Sequence, residues 1–163
     1  MLALAASGGP ARAATADPAA GGQALAAAGV GTEAVELGLA VASLIQASRG
    51  DHTGLAGPEI ALSLVGFGLT GPKIAGFRLA AGQPPGARTG RGEGWLQTGV
   101  YQLLLGGIYL ATAHLLDEHP WSGESILAEI YAAMALPHLI LGAIALPLGI
   151  GLRAPGADPD RDV

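Results

Sequence analysis

Four strongly polar side chains stand in segments otherwise built from Ala, Leu, Gly and Ile: Glu36, Lys73, Gln102 and His138. A carboxylate, an ammonium, an amide and an imidazole brought together in an apolar medium can carry protons or hold an ion. Counted along helices at ~1.5 Å per residue from one common boundary, Glu36 and His138 lie ~18 Å deep, Gln102 ~21 Å and Lys73 ~22 Å. The four therefore read as one layer. Isolated charges at that depth cost at least ~2.5–3.5 kcal/mol each, so they are expected to face one another. Glu36 would neutralise Lys73, while Gln102 and His138 satisfy the remaining donors and acceptors. Such a layer is either a proton or ion path or an internal clasp that fixes helix register. A third reading puts Glu33 and Glu36 in the first turn of a shorter helix, where they would simply favour its dipole.

Other chemistry is thinner. His114 and Glu129 both fall ~5 Å from the outer boundary and form a candidate outer pair. As haem ligands, His114 and His138 are poorly matched, because a ~14 Å difference in depth does not suit two axial ligands of one iron. A b-type haem protein would need a ligand from another chain. Cysteine is absent, which excludes disulfides and thiolate sites. No metal or other cofactor is expected. Gly66-Phe67-Gly68-Leu69-Thr70-Gly71 fits G-x-G-x-x-G, but near the required offset stand only Arg91, Gly92 and Glu93, with no strand before them. The better reading of Gly66, Gly68 and Gly71 is a helix face that admits a close neighbour. Ser43 and Ser63 are expected to bond backbone carbonyls within their own helices.

The elements that must position these residues are apolar and long. Trp95 to Leu116 has no Asp, Glu, Lys or Arg, and its length of ~33 Å exceeds a hydrocarbon core of ~30 Å. Ile126 to Leu152 is a second such stretch with Glu129 as its single charge. Two weaker segments precede them, one around Ala34–Ala47 and one from Pro58 to Leu79, the latter interrupted by Gly71-Pro72. The chain is thus expected to be an all-α, polytopic membrane protein, a compact antiparallel bundle of four helices near 24–48, 58–79, 95–117 and 125–152. Residues 1–23 would form a disordered or signal-like arm, 24–153 the transmembrane domain and 154–163 a disordered acidic tail. Half of the residues are hydrophobic, 13% are charged and aromatics are scarce, a balance that suits lipid-embedded helices with small residues at their contacts.

Arg88 and Arg91 in the second loop, against Asp117, Glu118 and Glu124 in the third, place the second loop inside and the third outside. Both termini would then be cytoplasmic, in a bacterial or archaeal plasma membrane. A net charge of −5 without a basic stripe leaves no footprint for nucleic acid. No catalytic motif of a soluble enzyme class is present. The expected role is non-enzymatic: a small accessory or scaffolding subunit of a membrane assembly, in contact with the lipid bilayer and with other subunits or further copies of itself. The alternative is a small proton- or ion-coupled transporter or channel built on the Glu/Lys/Gln/His layer.

Overall fold

In a computed structural model the described residues are 17–50, 54–81, 89–118 and 124–153. The amino-terminal arm up to residue 16, the acidic tail, His52 and His119 lie outside them. Four helices account for the described chain: α1 Pro18–Ser48, α2 Ala56–Ala80, α3 Thr89–Asp117 and α4 Glu124–Arg153. Each is long and apolar enough to cross a membrane. The fold is an all-α bundle, as its hydropathy implies.

Local chemistry explains the start of α1, which lies six residues ahead of the expected position 24. Asp17 is extended and its side chain accepts from the Ala19 N–H at 2.9 Å, while Pro18 opens the helix. That is a capped start with proline where its missing N–H is harmless. The shorter version of this helix is excluded, and Glu33 and Glu36 lie in mid-helix. In α2 the helix runs through Gly71-Pro72 to Ala80. The whole Gly66–Gly71 segment is helical, which denies it the strand and turn of a dinucleotide fold.

Which faces are buried follows a seven-residue rhythm. On α1 the buried positions are Gly22, Ala26, Gly29, Glu33, Glu36, Ala40, Ser43 and Ala47, spaced alternately four and three apart. On α2, Ala56, Glu59, Ser63 and Gly66 keep the same beat. This 3–4 alternation is the seam of helices packed at shallow angles. The opposite faces carry Val35, Val41 and Ile45 on α1, Leu64 and Val65 on α2, and Leu136, Ile140 and Ile144 on α4, all exposed. Apolar bulk outside and ionisable groups inside reverse the soluble pattern. Only a surrounding of hydrocarbon makes that arrangement favourable.

The bundle is two hairpins. Helix α3 pairs most extensively with α4, and α1 with α2; the α1 and α4 backbones stay apart among the described residues, and these two helices meet through side chains. Between α3 and α4, leucine and glycine alternate across the seam. A Cβ on Gly149 would lie 2.3 Å from the Leu96 backbone, and one on Gly99 2.4 Å from that of Leu146. Gly142 faces Leu103 and Gly106 faces Leu139 in the same way. The pairing steps by three and four in opposite directions along the two chains, which fixes an antiparallel register. In the other hairpin Gly22 meets Leu79 and Ala80, and Gly76 meets Ala26. The expected glycine face needs correction. Nothing lies within 4 Å of a Cβ on Gly68 or Gly71, and Gly66 faces only a carboxylate oxygen of Glu36. Those two glycines point away from the seam because they fall off the seven-residue beat.

Candidate functional site

The two hairpins meet through polar side chains. Near the middle of α1, Lys73 on α2 forms an ion pair with Glu33. The other carboxylate oxygen of Glu33 accepts from Gln97 Nε2 on α3 at 2.7 Å. Room for the lysine comes from Gly29, where a Cβ would lie 2.7 Å from the Lys73 Cβ.

One turn along α1 sits Glu36, fully buried. It accepts from Ser63 on α2, from Tyr101 Oη on α3 at 2.7 Å, and from Tyr109 Oη at the long distance of 3.5 Å. The imidazole of His138 on α4 brings Nε2 to 3.7 Å from Glu36 Oε1 and to 3.2 Å from Ser63 Oγ. Its Nδ1 meets Gln102 Oε1, and its ring stacks on Phe67 with centroids 4.7 Å apart. All four helices thus converge on this carboxylate. Gly66 supplies the space, since a Cβ there would approach Glu36 Oε2 to 3.2 Å.

A third station lies beyond. Glu59 on α2 accepts from Ser43 Oγ on α1 at 2.9 Å and from Tyr131 Oη on α4 at 2.6 Å. Tyr109 bridges the second and third stations, with its ring 5.5 Å from His138 and 5.9 Å from Tyr131 between centroids. From Glu33 to Ser43 the file climbs ~15 Å of helix, about half of a hydrocarbon core. Past Glu59 it is closed by Ala47, Ala56, Leu116 and Ala128.

Ser63 has one hydroxyl proton and two neighbours, Glu36 and His138 Nε2, that can accept it. With Gln102 Oε1 on Nδ1, the imidazole donates from Nδ1 and turns a lone pair toward Ser63. A single added proton, on the imidazole or on the carboxyl, completes the set of donors. Turning the Gln102 amide over reverses the tautomer and satisfies the network without it. The site therefore has two hydrogen-bonded arrangements that differ by one proton. No family model, curated protein or solved structure matches this chain. The chemistry of the site must carry the reading alone.

Against the sequence-based expectations, Glu36, Lys73, Gln102 and His138 are each buried, but they divide between two stations. Lys73 takes Glu33 as its ion partner, whereas Glu36 is held by hydroxyls. Depth counted in residues does not resolve one helical turn, and Glu33 and Glu36 share a face. The outer pair is corrected: His114 is exposed and bonds Glu118 at 3.3 Å, four residues on along the same helix face, while Glu129 is exposed on α4. With Nδ1 on Gln102 and Nε2 on Ser63, neither nitrogen of His138 is free to ligate iron. Ser43 and Ser63 do not turn back on their own helices but reach across to Glu59 and Glu36. Glu59 and the three tyrosines escaped sequence reasoning, and Glu33 was read as a residue of a helix start and not as the partner of Lys73. The signal was present: Glu33, Glu36, Ala40 and Ser43 keep the 3–4 spacing of a buried face, as do Glu59 and Ser63.

Proposed function

We propose that this multi-pass membrane protein is a small proton-coupled transporter, with Glu36 as the exchanging group. One observation carries the reading. A fully buried carboxylate at the meeting point of four helices is held mostly by neutral hydroxyls and shares the Ser63 proton with an imidazole. A purely structural clasp gains nothing from two arrangements one proton apart, whereas a carrier needs them. The neutral Glu33–Lys73 pair bounds one end of the file, and the Ala/Leu cluster beyond Glu59 closes the other. On this reading the protein is not an enzyme, and the arginine-bearing loop between α2 and α3 faces the cytoplasm.

The test is proton movement. Proteoliposomes loaded with a pH-sensitive dye and energised by a potassium diffusion potential should acidify faster than protein-free vesicles. Glu36→Gln should return the rate to that of empty vesicles while preserving the helical circular dichroism. Equal rates with and without wild-type protein overturn the proposal.

A second reading, an accessory subunit of a membrane assembly, draws on the rows of exposed Val, Leu and Ile on α1 and α4. Purification in mild detergent separates the two. Partners in fixed ratio favour the subunit, and a monomer or homo-oligomer favours the transporter.

A further inference from the structure

Glu59 is a buried acid to which the proton path through Glu36 gives no role. Its side chain and those of Ser43 and Tyr131 are fully buried, and Glu59 makes no ion pair among the described residues. Three contacts between oxygens close a ring around it. Ser43 Oγ lies 2.9 Å from Oε1, Tyr131 Oη lies 2.6 Å from Oε2, and the two hydroxyl oxygens lie 3.1 Å from each other. The two hydroxyls bring two protons to these three contacts. With the carboxylate ionised, both donate to it, and the contact between Tyr131 and Ser43 holds no proton. One proton on Oε2 completes the ring. The carboxyl then donates to Tyr131, Tyr131 donates to Ser43, and Ser43 keeps its bond to Oε1.

We propose that this ring is a second proton-binding site, separate from Glu36, in which the Glu59 carboxylate takes up and releases one exchangeable proton. On uptake the proton passes from hydronium to Oε2, the Tyr131 O–H turns from the carboxyl to Ser43, and a water molecule is left behind. The titratable groups that face Glu59 are Tyr131 of α4, Tyr109 of α3 and Glu36 of α1, whereas Lys73 is engaged by Glu33. Tyr109 stands between the two acids, with Oη 3.5 Å from Glu36 Oε1 and its ring 5.9 Å from that of Tyr131. His138 lies on its other side, at 5.5 Å between ring centroids. Ionised together, the two acids repel across an apolar interior, and a proton on Glu59 removes that repulsion. Glu59 is then the station between Glu36 and the closed Ala/Leu end. Its place in a transport path rests on the proton-coupled reading; proton binding at Glu59 does not.

The experiment is infrared spectroscopy of the full chain in phosphatidylcholine nanodiscs as the buffer is taken from acid to alkaline pH. The protonated-carboxyl C=O region should contain a band that is absent from Glu59→Gln, moves down in heavy water and vanishes as the pH rises. A separate band should be lost in Glu36→Gln. Ser43→Ala should shift the Glu59 band to higher wavenumber, because the carbonyl loses its donor, and leave the Glu36 band in place. This variant also assigns the band if Glu59→Gln does not fold. Spectra of Glu59→Gln and Ser43→Ala that match wild type in this region at every pH overturn the inference, since Glu59 is then ionised throughout and the hydroxyls are only a clasp. A Glu59 band that persists to the alkaline end overturns it as well, because a fixed proton is not exchanged. Proton flux without a titrating Glu59 band defeats this inference alone, whereas a titrating band without flux defeats only the transport reading.

Discussion

Lys73 on α2 is paired with Glu33 on α1, one helical turn short of Glu36. This separates the buried ion pair between α1 and α2 from the carboxylate that the tyrosines hold. The two acids stand three residues apart on one helix face and have different work. Glu33 is matched by an ammonium and an amide; Glu36 is matched by hydroxyls and an imidazole.

The pairing predicts an asymmetric rescue. Lys73→Met strands the Glu33 carboxylate in the bundle and should cost about 3–5 kcal/mol, the usual penalty for removing one partner of a buried pair. Adding Glu33→Gln should recover a large part of that loss, while adding Glu36→Gln should recover none. Unfolding in mixed SDS micelles gives the three values, and equal rescue by the two glutamines would sink the assignment.

Glycine substitutions should split into two groups. Gly99→Ala and Gly149→Ala drive a methyl into the backbone of the facing helix and should cost about 1–3 kcal/mol each. Gly68→Ala and Gly107→Ala meet nothing within 4 Å and should be neutral or stabilising by up to about 1 kcal/mol, since alanine loses less backbone freedom in a helix. Thermal melts in one detergent, run side by side, check the contrast.

Tyr131 holds the third station from α4. Tyr131→Phe removes its hydroxyl from Glu59 and Ser43, and should destabilise by about 1–3 kcal/mol because the carboxylate loses a buried donor. With Glu59→Gln already present, the same change should cost less. A double-mutant cycle that returns no coupling would show that the tyrosine acts only through its ring.

Topology is open to chemical labelling. Single cysteines at Thr89 and at Ser122, the latter outside the described residues, flank α3 and should label from opposite sides with an impermeant reagent. Position 89 should be reached from the cytoplasmic face, following the arginine bias of the preceding loop. Labelling of both from one side would remove α3 as a span.

The existence of four helices was legible because hydropathy and length report on single segments: each run is long enough to cross hydrocarbon and poor in charge. Burial of Lys73, Gln102 and His138 was legible for the same reason, since a polar group in an apolar helix has no favourable place but the interior. Partner choice was not legible. It depends on rotation and register between helices, and an error of one turn moves a side chain by ~5 Å and changes its neighbour. That is why Lys73 meets Glu33, why His114 bonds along its own helix, and why Gly68 and Gly71 face outward.

The sequence by itself therefore determined the class: apolar segments of spanning length and a polar minority that must turn inward. Tertiary structure alone decided the site. Ser43, Ser63 and the three tyrosines are ordinary helix residues until two hairpins bring them against Glu36 and Glu59. Hydropathy is a property of one segment, but a hydrogen bond between segments requires both backbones to be placed within a few tenths of an ångström. That placement comes from the leucine–glycine seam of α3 and α4 and the small-residue seam of α1 and α2.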